Sequence, residues 1–208
     1  MTIDDEYDPG EITEGLGEEW AVPDIGFKPY PSGVITHAAM DAMRNLVREH
    51  DLEPEDVEEV IVTLDDAADE MLHHEKPDDA LQAKFSIEFC LAAILRESDA
   101  GIYEFTDEYV REEATRAAVD KVSRAFEGNL FSEEFAGYGA IVRVTTTDGE
   151  HLREEIHYAP GSPNNPVSEE RLKAKFLECA ETRLETEDTE ALAATIENLE
   201  DEIGRAHV

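Results

Sequence analysis

Between Val34 and His50 the apolar residues Ile35, Ala39, Met43, Leu46 and Val47 recur at the three- and four-residue spacing of one helix face. Pro31, Ser32 and Gly33 punctuate the start, so the spacing predicts an amphipathic helix over 34–50. Beyond Pro54 the period shortens to two: Val60, Val62 and Leu64 share one face of Val57–Leu64, which predicts a strand. Asp78–Arg96 carries Phe85, Ile87 and an apolar run from Phe89 to Leu95, and between Ile87 and Leu95 Glu88 is the only charge. Such a run predicts the most buried helix. After a short turn at Phe105–Tyr109, the shared face of Ala114, Ala118, Val119, Val122 and Phe126 predicts another helix over Arg111–Phe126.

The period then changes back. Ala140–Thr147 alternates, Asp148-Gly149 supplies the positive-φ residues of a tight turn, and His151–Tyr158 returns as the second arm of a β-hairpin. The run PGSPNNP at Pro160–Pro166 is a linker by composition, and Ser168 with Glu169 and Glu170 reads as an N-cap and acidic first turn. Two helices follow, over about Ser168–Leu184 and Thr189–Ile203. One early strand must therefore pair with a distant hairpin, giving an α+β fold: a small antiparallel sheet covered by helices, followed by a C-terminal helical pair. Leu172, Phe176, Leu177, Leu184, Leu192, Ile196, Leu199 and Ile203 offer more apolar surface than two helices can hide from each other, so the pair calls for a larger helical body. The expected organisation is a lead-in at 1–26, an α+β unit at 27–160, and the linker with its helices at 161–208.

Charge narrows the partners. Fifty-two acidic residues against 17 basic ones leave a net charge of −35 in 208 residues, which excludes a polyanion-binding surface and disfavours anionic membranes. With 41% hydrophobic residues in periodic blocks, the chain is not a disordered acidic tail. The acid surplus, with 11 Arg to 6 Lys, is read as a surface adapted to high salt, the alternative being an acidic protein of ordinary surroundings. No stretch reaches the roughly 18 apolar residues of a membrane span. Met1–Asp8 shows neither the basic nor the apolar part of a secretion signal, so the cytoplasm is the expected compartment. Cys90 and Cys179 stand alone inside helical patterns and suggest neither a disulfide framework nor a zinc site.

The densest candidate chemistry is the loop Lys28-Pro29-Tyr30-Pro31-Ser32-Gly33, with His37 four residues on. Two prolines stiffen it so that Lys28 and Tyr30 are held outward, and the helix start beyond offers N–H donors to an anion, so a small polycarboxylate suits it. The competing reading is a rigid connector with a solvent-facing lysine and a satisfied histidine. Lys84 and Ser86 precede the buried helix, where Ser86 either contacts a ligand or bonds back to its own helix. The adjacent His73 and His74 point apart and are read as surface residues. Acid runs such as Asp65-Asp66 and Glu185–Asp188 match no calcium loop, and the glycines at 15 and 17 lack the third glycine and preceding strand of a dinucleotide site. No metal or cofactor is called for.

The string KPYPSGVITHAAMDA at Lys28–Ala42 resembles the opening of the smaller domain of the MmgE/PrpD family, which includes 2-methylcitrate dehydratases and cis-aconitate decarboxylases. PEDVEEVIVTL, AKFSIEFCLAAIL, FTDEYV, TTTDGE and PGSPNNPVSEERLKAKF resemble family stretches in the same order, so the resemblance runs from about Gly15 to the C-terminus. It implies a lid-like α+β domain that closes over a large helical domain, with the active site between the two. It also implies lyase chemistry on small di- or tricarboxylates by acid/base steps, without metal or organic cofactor. By the same resemblance Lys28 would pair with a substrate carboxylate, and His37 would take either a positional or an acid/base role. Tyr30 and Ser32 of the same loop, with Lys84 and Ser86 before the buried helix, are the further candidate substrate contacts. Gly33 stands where decarboxylase-like members carry a catalytic histidine and many dehydratase-like ones a cysteine, which argues against a decarboxylase. Met71 lies near the place of a functional tyrosine.

Two readings follow. In the first the chain is the lid-bearing half of a 2-methylcitrate dehydratase-like lyase, completed by a separate helical subunit. In the second it is a truncated, non-catalytic relative that serves as a binding or self-association module, for instance as a homodimer.

Overall fold

The computed structural model describes Gly10 and residues 13–128, 130–131 and 138–202 of the chain. Most of the first dozen residues, and the expected helix end at Ile203, lie outside the described residues. Helix α1 spans His37–His50 and enters through a 3₁₀ turn at Val34–Thr36, so the expected helix is one turn shorter. Its apolar face is fully buried, from Ala38 to Val47, and Asp51 in the left-handed region ends it. Strand β1 follows at Val57–Leu64. The long apolar run is not one helix: α2 covers Ala80–Ala83 and α3 covers Ile87–Glu97. Ser86 divides them because its backbone is extended and its hydroxyl caps α3 by accepting from the Phe89 N–H at 3.1 Å. Every α3 residue from Ile87 to Leu95 is buried.

The expected helix over 111–126 is corrected. Helix α4 covers Asp107–Arg111, the extended backbone of Glu112 interrupts it, and α5 covers only Glu113–Val119. Val122–Phe126 is a strand, β2, parallel to β1 from Val60↔Val122 to Leu64↔Phe126. Apolar residues at 118, 119, 122 and 126 fit a helical period, but in β2 the residues at 122, 124 and 126 alternate instead with Ser123 and Ala125. Lys121 sets the strand start by donating to the carbonyls of Pro54 and Val57, each at 2.6 Å. Strands β3 (Ala140–Thr146) and β4 (His151–Ile156) form the expected hairpin. The sheet order is β2-β1-β3-β4, antiparallel except for the β1–β2 pair.

The fold is therefore α+β. Val60, Val62 and Leu64 of β1, Val142 and Val144 of β3, and Leu152 of β4 join α1 and α3 in one core. Inside it Glu88 faces Arg124 of β2, Nε to Oε1 at 3.3 Å, and Arg124 also donates to the Leu72 carbonyl at 2.6 Å. That pairing accounts for the lone charge in the apolar run. The C-terminal helices are α6 (Glu169–Glu181), α7 (Thr186–Glu197) and α8 (Leu199–Glu202). They pack on each other, but α6 has no fully buried side chain and α7 has only Thr189 and Ala193. Leu172, Leu184, Leu192, Ile196 and Leu199 stay exposed. No helix among the described residues is long and apolar enough to cross a membrane.

The loop before α1 is fastened at two places. Phe27 N–H donates to Gly161 O at 2.8 Å, and Gly33 N–H donates to Lys84 O at 2.9 Å. At the first, Gly161 has φ +86° and its missing Cβ would collide with the carbonyl of Phe27. Gly149 in the hairpin turn has φ +91° but open space around it. Gly161→Ala is therefore expected to cost about 2–3 kcal/mol, and Gly149→Ala only about 1 kcal/mol. Denaturant midpoints of the two variants check the ranking.

Candidate functional site

The 28–33 loop crosses the entry to α1, and its turn groups bond inward. The Ser32 carbonyl has two neighbours at 3.4 Å, the ammonium of Lys28 and Nε2 of His37. The Ser32 hydroxyl is buried against Thr36 Oγ1 at 2.8 Å and Met40 Sδ at 3.5 Å. Tyr30 is 1% exposed and donates its phenol to Asp41 Oδ1 at 2.6 Å. Burial first, and the neighbouring Asp41 second, push that phenol far above its ordinary range, so it stays neutral. His37 packs edge-on against the Tyr30 ring, with centroids 5.5 Å apart. Cys90 is buried nearby, and burial pushes its thiol up to about 12, which makes it inert.

Of the six residues singled out in the sequence, Lys28 alone lines the open cleft beside the loop. That cleft holds about 470 Å³, with Phe27, Val34, Tyr158, Ser162 and Asn164 among its walls. Its size suits a small organic acid. The PGSPNNP segment supplies much of one wall: Gly161 N–H bonds Asn165 O at 2.7 Å, and Asn165 Nδ2 bonds Tyr158 O at 2.8 Å. Lys28 is the one cation among the cleft's described lining residues, and Asp24 is its one acid. Ser162 Oγ is buried there without a partner among the described residues.

The remaining residues serve the scaffold in this arrangement. Tyr30 is not held outward as expected: its ring is buried and its phenol turns in to Asp41. Ser32 also faces inward, Ser86 caps α3 and has Glu88 Oε2 at 3.4 Å, and Lys84 is half-buried with its carbonyl engaged by Gly33. Gly33 has an ordinary extended backbone, and a Cβ there would meet Lys84 O and the Ile35 and Phe85 side chains at 3.5–3.6 Å, which is ordinary contact. His37 is fully buried, and its Nδ1 has no partner among the described residues. Burial pulls its pKa down to about 4.

Two residues absent from the sequence reading dominate the local electrostatics. Asp41 of α1 accepts both guanidinium nitrogens of Arg171, at 2.7 and 3.1 Å, and the guanidinium also lies 4.9 Å from the Tyr30 ring centre. Lys175, one turn further along α6, donates to the carbonyl of Lys28. A signal existed: Arg171 sits in the first turn of a helix, where a cation opposes the helix dipole and so points to a tertiary carboxylate.

Residues 30–201 match the family model of the MmgE/PrpD C-terminal domain. The match opens two residues after Lys28. Cis-aconitate decarboxylases of Mus musculus and Homo sapiens are each 24% identical to this chain, over 204 and 203 residues. Each alignment covers 94% of this chain and 41% of the relative, so the chain spans less than half the length of these curated relatives.

The buried His37 carries a pH signature. An unfolded histidine titrates near 6.5, whereas the folded one holds off its proton until about pH 4. Its contribution to stability is complete above pH 6.5 and is lost as pH falls through the window from 6.5 to 4, by about 2 kcal/mol at pH 5. His37→Gln should lack that loss, so the stability gap between wild type and variant is expected to narrow from pH 7.5 to pH 5. A constant gap in paired denaturation curves contradicts the depressed pKa.

Proposed function

The chain belongs to the MmgE/PrpD family, and on that premise we propose that it forms the lid part of a lyase acting on small di- or tricarboxylates, of the 2-methylcitrate dehydratase type. The observation that carries the reading is Lys28 at the cleft. Its ammonium has one long contact, to Ser32 O at 3.4 Å, which leaves donors for a substrate carboxylate. In a chain of charge −35, an anion is held only by such a local group with the long-range field screened by salt. Acid/base steps need further groups, and a helical body outside these 208 residues supplies them. The exposed leucines and isoleucine of α6–α8, and the fraction of each relative's length that lies beyond the alignment, both favour such a body. His37, buried and neutral, fits the positional role better than the acid/base one.

One observation favours the second reading, a module that binds a carboxylate without converting it. Gly33 brings no side chain and His37 no accessible atom, so Lys28 is the only ionisable group that residues 28–37 present to the cleft.

The test joins the chain to a family helical body, supplied as a separate subunit, and assays turnover of 2-methylcitrate and cis-aconitate. Turnover is expected, and Lys28→Ala should lower kcat/KM by about 30- to 100-fold, the loss of one charged hydrogen bond. Turnover indifferent to Lys28→Ala contradicts the site; a complex that binds carboxylate without turnover supports the second reading.

A further inference from the structure

Helix α6 is amphipathic in an unexpected sense. The residues it turns toward the α+β unit are polar: Arg171, Lys175 and Glu178 stand at i, i+4 and i+7, one stripe of a helix. Each has a specific acceptor or donor on that unit. Arg171 grips Asp41 with both nitrogens, Lys175 takes the carbonyl of Lys28, and Glu178 Oε1 accepts from Ile102 N–H at 2.8 Å. Leu172, about a quarter turn round the helix, remains exposed. The seat of α6 is therefore made of directed polar contacts: Lys175 ends on the loop that carries Lys28, and Arg171, bonded to Asp41 of α1, reaches that loop through the Tyr30 ring.

Between its two backbone fastenings at Phe27 and Gly33 the loop is held through its side chains and by α6. Its side chains reach the unit through Tyr30 and Ser32, and Tyr30 bonds the same Asp41 carboxylate that Arg171 occupies, beneath the guanidinium. Removing Arg171 leaves Asp41 in a part-buried place with only the phenol for company, takes away the cation stacked on Tyr30, and weakens the seating of Lys175 one turn on. Lysine in its place keeps the charge but neither the two-pronged contact nor the planar stack.

We propose that Arg171, with Lys175, is a positioning residue for Lys28: α6 holds the carboxylate-binding loop in place from the far end of the chain, so whatever seats α6 also sets Lys28. The functional half rests on the reading of Lys28 given above; the structural half does not.

Hydrogen exchange followed by mass spectrometry on the full chain in molar KCl separates the two. In Arg171→Ala the amides of residues 27–33 are expected to exchange at least 10-fold faster, while those of α3 and β3 keep their protection. Arg171→Lys should fall between, and it decides by the same criterion if the alanine variant does not fold. Citrate is the probe of binding, read by calorimetry: its Kd should rise about 10-fold in Arg171→Ala, and binding should be lost in Lys28→Ala. Unchanged exchange at 27–33 overturns the proposal. Faster exchange there, combined with citrate binding that ignores Lys28→Ala, upholds the positioning of the loop and removes the reading of Lys28.

Discussion

The carboxylate of Asp41 is the point on which the rest of the arrangement depends. It lies at the join of three segments: the neighbouring 28–33 loop through Tyr30, α1 on which it sits, and, 130 positions away, α6 through Arg171. Only a group with two oxygens and a full charge satisfies a phenol and a guanidinium fork together. Because the site is mostly sheltered, 15% exposed on the aspartate side chain and 22% on the arginine, each contact gains from weak screening, and each partner lost leaves another stranded. The loop is thereby held by charge and hydrogen bonds as well as by the burial of Tyr30 and Ser32, while Lys28 itself stays exposed beside the cleft.

The same logic runs through the whole molecule. The α+β core is apolar apart from the Glu88–Arg124 pair, with α1 and α3 packed on the sheet. The C-terminal helices add almost nothing to it, and their exposed apolar residues sit beside a great excess of acid. Net charge of this size opposes compactness and association in dilute solution, and screening relieves both costs. A helical body that covers α6–α8 would therefore bind through apolar contact while its charge repulsion is damped by salt. On the two proposals above, seating the outer face of those helices would also order the Lys28 loop.

Much of the fold was legible in the chain. The hairpin was readable because period-two alternation flanked an Asp-Gly turn, and α1 and α3 because their apolar spacing was long and regular. Val122–Phe126 misled because five residues cannot distinguish a strand from the tail of a helix, and only the parallel partner β1 settles it. Ser86 was read as either a ligand group or a helix back-bond, and its actual capping role depends on where the helix starts. The site was less legible. Lys28 is visible as a cation in a stiff loop, but the inward turn of Tyr30 and the complete burial of His37 follow from tertiary packing that no local pattern encodes. Asp41 and Arg171 lie 130 positions apart, and spacing alone cannot pair them.

Whether Lys28 is the group that meets a substrate carboxylate can be read from the lysine side-chain resonances. With 6 lysines in the chain, the labelled Cε and Nζ signals are few enough to assign one by one. On titration with cis-aconitate in molar KCl, a saturable shift confined to Lys28 is expected. A uniform drift of all the lysines, or a saturable shift at another lysine with Lys28 unmoved, would contradict it.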